Sequence, residues 1–215
     1  MIRAVIFDMD GVLSDTERLH VQSEERLLSR LGIDPGVLAG GAFMGISDRE
    51  FFTTVFRDHG VAADVDAAIA EKWTLMGECP DEAIRAMPGA RALVERLHRR
   101  GLPLAVASSS PRSFIERVLR CLGVLDRFAV VQSGEEVARG KPQPDVFLTV
   151  ASKLGLAPGE CVVIEDSKNG IIAARRAGMR CVALVPPGGD GAIRGDADVV
   201  VSDLARVTDD VLLTG

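Results

Sequence analysis

The chain has 215 residues, 47% of them hydrophobic and 26% charged, and its 31 acidic against 25 basic side chains give a formal net charge of −6. That length holds one large domain, or one domain with a modest insertion, around a substantial core, and the composition excludes a disordered chain. The acidic balance weighs against nucleic acid and anionic membranes as partners, and aromatics at 4%, with no Tyr and one Trp, offer no stacking platform for single strands.

The first apolar run, Ala4 to Phe7, has the length of a buried strand. From Thr16 to about Glu82 no β-branched strand run occurs. Helix-like stretches fill the interval instead, at Glu17 to Leu31, Asp48 to His59 and Val65 to Met76, separated by turns such as Gly32-Ile33-Asp34-Pro35-Gly36. Met87-Pro88-Gly89 marks the return to alternating strands and helices. Ala90, Leu93, Val94 and Leu97 form one helical stripe, followed by Gly101; Ile115, Val118, Leu119 and Leu122 form another, followed by Gly123. Strand-length runs recur at Leu102 to Ala107, Ala129 to Val131, Cys161 to Ile164, Cys181 to Val185 and Val199 to Val201. They are continuous rather than alternating in hydrophobicity, as in a parallel sheet buried on both faces. The expected class is α/β, with a core of residues 1–15 and 83–215 and a helical insertion at 16–82.

Cys79, Cys121, Cys161 and Cys181 form no C-x-x-C pair, and the last two lie inside apolar runs, where cysteine acts as a small hydrophobe. No stretch reaches the roughly 18 apolar residues of a membrane span. No secretory leader pattern follows Met1, so a cytoplasmic location is the expectation.

Ligands of open parallel sheets bind beyond the carboxyl ends of the strands, which makes the residues after each run informative. Asp8-Met9-Asp10-Gly11 follows the first, with two carboxylates one residue apart whose repulsion calls for a cation or a proton. Ser108-Ser109-Ser110-Pro111 follows the second, where hydroxyls and free N–H groups suit an anion. Gly140-Lys141-Pro142 comes after the third, and Glu165-Asp166-Ser167 after the fourth. Each has a plain structural reading: an Asp/Gly turn, a helix cap, a solvated lysine, acids at a helix start. Together they read as a hard-cation site beside an anion site, and Mg²⁺ is the ion that suits oxygen ligands with a phosphate.

This set resembles the haloacid dehalogenase superfamily, over nearly the whole chain. Asp8-Met9-Asp10-Gly11-Val12 with Asp15-Thr16 is similar to its first motif, Ser108 to the second, Lys141 to the third and Glu165-Asp166-Ser167 to the fourth. The resemblance implies a Rossmann-like core with a helical cap at 16–82 that selects substrate. It points to the branch of phosphoglycolate phosphatase-like enzymes, sugar-phosphate phosphatases and β-phosphoglucomutase. It implies Asp8 as nucleophile, Asp10 as acid and base, Ser108 and the Ser109 N–H as holders of the phosphoryl group, and Lys141 as charge balance. Mg²⁺ would lie among Asp8, the Asp10 carbonyl, Asp166 and Glu165, the last directly or through water. Gly45, Ser47, Arg49 and His20 are the cap-side candidates for substrate binding; Met44, Trp73 and Met76 are further ones, the last two with core packing as the plain alternative.

Asp10 argues against carbon–halogen hydrolysis, because the superfamily's dehalogenases lack that second acid. Lys72 is the one lysine of the cap, and with Asp10 present a phosphonoacetaldehyde hydrolase is disfavoured too. A β-phosphoglucomutase-type mutase is the main alternative, although Met44 and Asp48 stand where its cap carries basic residues. A signalling receiver and a non-catalytic binding module fit less well. The expectation is an Mg²⁺-dependent phosphatase of small phosphomonoesters, acting as a monomer or weak dimer on a phosphorylated metabolite, with no nucleic-acid or membrane partner.

Overall fold

The computed structural model describes residues 1–41, 46–187 and 196–213. Two compact units make up the chain: Met1–Asp15 with Ile84–Gly215, and Thr16–Ala83.

Among the described residues of the first unit, six strands form one parallel sheet. They are β1 (Ala4–Phe7), β2 (Leu104–Ser108), β3 (Val130–Ser133), β4 (Cys161–Glu165), β5 (Arg180–Leu184) and β6 (Val199–Val201). Their order is β3-β2-β1-β4-β5-β6. The chain winds outward from β1 to β3 and then returns to place β4 on the other side of β1. That reversal is the switch point where open sheets of this kind leave a crevice. Register sets what meets there. Phe7 is level with Val106 on β2 and with Ile164 on β4, so the residues that follow, Asp8, Ala107 and Glu165, share one level at the rim.

Every residue of β1 is buried, and its alternating side chains serve both faces. Ala4 and Ile6 pack with Val146, Phe147, Val150 and Ala151 of α6 (Asp145–Leu154) and with Ile171, Ala173 and Ala174 of α7 (Lys168–Arg176). Phe7 meets Phe128 edge-on at 6.0 Å between centroids. The stripes read at 90–97 and 115–122 belong to α4 (Ala90–Arg99) and α5 (Arg112–Cys121), whose apolar faces are buried. A short α8 (Asp209–Leu213) follows β6.

The expected strand at Leu102 to Ala107 begins two residues later. Pro103 has no N–H to give to a ladder; its carbonyl accepts from Val5 instead. The strand expected at Ala129 to Val131 runs on through Gln132 and Ser133, which are polar yet buried, so apolar patterning stops short of its end. Cys161 and Cys181 are free and buried. No helix among the described residues is long and apolar enough to cross a membrane.

The second unit holds α1 (Glu17–Arg30), α2 (Asp48–His59) and α3 (Val65–Gly77). Leu27 and Leu28 of α1, Phe51, Phe52, Val55 and Phe56 of α2, and Ala68 and Leu75 of α3 form its own core. One ion cluster ties the three helices together. Lys72 of α3, with its side chain 2% exposed, pairs with Glu24 of α1 at 2.7 Å and with Asp48 at the start of α2. The Trp73 indole N–H donates to the other Asp48 oxygen at 2.9 Å. Burial penalises the Lys72 ammonium, yet Asp48 and Glu24 outweigh it and hold its pKa above that of an ordinary lysine.

Lys72→Met leaves two partly buried carboxylates without their cation. The expected loss is about 3 kcal/mol, the low end for breaking a buried pair because both acids keep some water contact. Trp73 is the sole tryptophan, so urea unfolding followed by its fluorescence reads this unit. A variant within about 0.5 kcal/mol of the unaltered protein, the usual scatter for a surface change, contradicts the assignment.

Candidate active site

Four strand ends and the loops beyond them supply the polar residues. After β1 the chain makes a tight turn in which the Met9 carbonyl accepts the N–H groups of Val12, Leu13 and Ser14 and, at 3.2 Å, the Ser14 hydroxyl. The Asp8 N–H still donates to Ile164 O at 2.9 Å, so the nucleophile candidate is fixed to the sheet. Asp10, partly exposed, lies one step further out on the turn. Gly11 has φ +76°, and a Cβ there would overlap the Asp166 carboxylate. Only glycine lets the two loops approach so closely.

Lys141, in the segment between β3 and α6, reaches back to the centre of this group. Its ammonium donates to Asp8 Oδ1 at 2.5 Å, to Glu165 Oε1 at 2.6 Å and to the Ala107 carbonyl at 3.1 Å, which uses all three protons. It also lies 5.0 Å from the centroid of the Phe147 ring, whose face attracts a cation. Burial opposes the charge on Lys141, but Asp8 and Glu165 more than offset this and raise its pKa above the ordinary lysine value.

Glu165 is fully buried, and its second oxygen accepts from the Asp166 N–H, the Ser167 N–H and the Ser167 hydroxyl at 2.9, 2.9 and 3.0 Å. Ser167 in turn caps α7 by accepting from the Gly170 N–H at 3.1 Å. A Cβ at Gly170 would overlap the Glu165 carboxylate. Four donors thus hold that carboxylate, three on Oε2 and the Lys141 ammonium on Oε1.

On β2, the Ser108 hydroxyl donates to Asp10 Oδ2 over a long 3.4 Å and accepts the Ser110 N–H at 3.1 Å. Ser109 is exposed at the strand end, and Ser110, buried at 3%, donates its hydroxyl to the same Asp10 oxygen at 3.0 Å.

Asp8, Glu165 and Asp166 each offer an oxygen, all within 4.8 Å of one another. The donor set is all oxygen and suits a hard divalent cation such as Mg²⁺. Asp8 itself fits such an ion. Burial pushes its carboxyl up to about 8; the Lys141 charge opposes the rise, while Glu165 and Asp10 add to it. One ammonium therefore leaves the group short of positive charge, and a metal ion is the natural complement.

The structure brings together Asp8, Asp10, Ser108, Lys141, Glu165 and Asp166. The described candidates of the second unit have occupations of their own. Ser47 caps α2 by accepting from the Glu50 N–H at 3.2 Å, and exposed Arg49 pairs with Asp66. The His20 ring meets Trp73 edge-on at 5.5 Å, and Met76 is buried. Gly45 and Met44 lie outside the described residues. Ser110, Phe147, Gly11 and Gly170 are participants that the sequence reading did not single out.

Known proteins resemble this chain over most of its length. The family of haloacid dehalogenase-like hydrolases matches residues 2–178. The chain is 33% identical to a validoxylamine A 7'-phosphate phosphatase of Streptomyces hygroscopicus subsp. limoneus, over 96% of each chain. It is 34% identical to hexitol phosphatase B of Escherichia coli, over 96% of this chain and 95% of the other. A crystal structure of β-phosphoglucomutase from Clostridium difficile superposes with a TM-score of 0.83 at 25% identity, covering 98% of this chain and 95% of that one.

Gly170→Ala forces Glu165 or the first turn of α7 to move, and overpacking of this kind costs about 1–3 kcal/mol. Chemical denaturation should show that loss together with a fall in phosphate release, because Lys141 loses its second carboxylate. A variant with unchanged stability and turnover contradicts the close packing described.

Proposed function

The chain belongs to the haloacid dehalogenase-like hydrolase family, and on that premise we propose that it is an Mg²⁺-dependent phosphatase of small sugar or polyol phosphomonoesters that works through an aspartyl-phosphate on Asp8. The observation that carries this reading is the pairing of two acids with different surroundings at one strand end. Asp8 is buried against Lys141, whereas Asp10 is more exposed and bonded to hydroxyls. That separation suits one for attack and the other for moving a proton.

Asp8 attacks phosphorus, and the bond from phosphorus to the ester oxygen breaks. Asp10 gives its proton to the departing alcohol. Ser108 and the Ser109 N–H hold the phosphoryl oxygens, and Lys141 balances the negative charge that gathers on Asp8 and phosphate. In the second half Asp10 takes a proton from water, the water oxygen bonds to phosphorus, and the phosphorus bond to Asp8 breaks to release phosphate. Asp8, Asp166 and the Asp10 main-chain carbonyl would hold Mg²⁺, with Glu165 joining directly or through water while it also holds Lys141; when bound, the ion screens one anion from another. Catalysis of this type is largely positioning and charge neutralisation.

The helical unit at Thr16–Ala83 serves as the cap that selects substrate. Sugar and polyol esters are favoured by the relatives named for a hexitol and for a validoxylamine phosphate. The mutase relative supports a second reading. Against it, Asp48 stands where a mutase carries a basic residue, and its carboxylate is taken by Lys72 and Trp73.

Phosphate release from a panel of hexitol, hexose and glycolate phosphates in Mg²⁺ tests the proposal. Turnover should vanish on chelation and return with added Mg²⁺, and Asp8→Asn should lose at least about a thousandfold, as for removal of a covalent nucleophile. Conversion of β-glucose 1-phosphate, primed with its bisphosphate, to glucose 6-phosphate without matching free phosphate would overturn the phosphatase reading in favour of the mutase.

A further inference from the structure

Three serines follow one another at the end of β2, and their surroundings divide them. Ser109 is exposed, the Ser108 hydroxyl donates to Asp10 only over a long contact, and Ser110 is buried with both its hydroxyl and its main chain engaged. The Ser110 hydroxyl donates to Asp10 Oδ2 at 3.0 Å, and its N–H donates to Ser108 Oγ at 3.1 Å. Its carbonyl accepts from the Ser133 hydroxyl at 2.7 Å, and Ser133 Oγ accepts the Glu135 N–H at 3.1 Å. Ser133 is fully buried at the end of β3. A line of hydrogen bonds therefore runs from the β3 end through Ser133 and Ser110 to Asp10, all within the first unit.

Asp10 sits on a turn, partly exposed, and the terminal torsion of an aspartate is broad. Proton transfer needs the donor and acceptor atoms within about 3.2 Å, and a displacement of about 1 Å in a reacting group can cost a hundredfold. We propose that Ser110 is a positioning residue: it anchors Oδ2 of Asp10 to the sheet, so that Oδ1 is directed for proton transfer and the Ser108 hydroxyl remains available to the phosphoryl group. The inference rests on the acid–base assignment of Asp10 made above. It differs from a substrate-binding role for Ser110, because its hydroxyl is already committed to a carboxylate.

The test uses leaving groups that do and do not need a proton. Ser110→Ala, Ser110→Thr and Asp10→Asn are compared with the unaltered protein on the alkyl phosphate of the panel that turns over fastest. They are also compared on p-nitrophenyl phosphate, in single turnover with enzyme in excess. Ser110→Ala should lower kcat on the alkyl ester about tenfold or more with KM within about twofold, and leave the p-nitrophenolate release rate within about twofold, while Ser110→Thr restores the alkyl rate. An equal fall on both esters, a rise in KM alone, or no change while Asp10→Asn abolishes alkyl turnover each overturns the positioning role. Undiminished alkyl turnover in Asp10→Asn defeats the acid–base reading instead.

Discussion

One ammonium shared by two buried carboxylates is the constraint around which the first unit is arranged. Asp8, Glu165 and Lys141 have side chains 9%, 1% and 6% exposed, so none can rely on water to carry its charge. Removing Lys141 would leave two anions facing each other in a poorly solvated place, a far larger penalty than the loss of a surface pair. The strand order follows from the same need. β1 and β4 must be neighbours, in the register that sets Asp8 level with Glu165, before one lysine from the β3–α6 segment can reach both. Even with Lys141 in place the group carries more negative than positive charge, and that imbalance suits it to a divalent cation.

Much of this was legible in the sequence, for reasons that can be named. A parallel sheet buried on both faces must be written as short continuous apolar runs, so β1, β4 and β6 could be read nearly to the residue. Most polar residues of the site stood out because they interrupt the chain just where such a run ends; Lys141, in the segment between β3 and α6, is the exception. What escaped reading was set by contacts across the sheet. Gln132 and Ser133 are polar and buried, which no apolar pattern marks as strand. Ser108, Ser109 and Ser110 are chemically alike, and only their burial and partners tell them apart. Gly11 looks like an ordinary turn glycine and Gly170 like any glycine near a helix start until the Asp166 and Glu165 carboxylates are seen against them. In the sequence Glu165 reads only as a metal ligand; its oxygen does lie with those of Asp8 and Asp166, but the sequence does not show the four donors that also make it the support for Lys141 and α7.

The helical unit shows the same principle in a different setting. Lys72 is a lone lysine in a helix and would pass for a solvated charge, yet it is buried and joins α1, α2 and α3 through Glu24 and Asp48. Asp48, placed where a basic residue would serve a second phosphate, spends its charge inside the unit. Asp48, which departs from the mutase pattern, therefore has a structural occupation.

The central claim is that Asp8 becomes covalently phosphorylated. Its most direct test is acid quenching during turnover of a phosphomonoester in Mg²⁺, followed by peptide mass spectrometry of the Asp8 segment. The account predicts one phosphoryl group on Asp8, formed at the rate of alcohol release and absent in Asp8→Asn. Phosphate carried instead by Ser108 or another residue, or a turnover in which alcohol release outruns phosphate release with no phosphoryl group on Asp8, would contradict it.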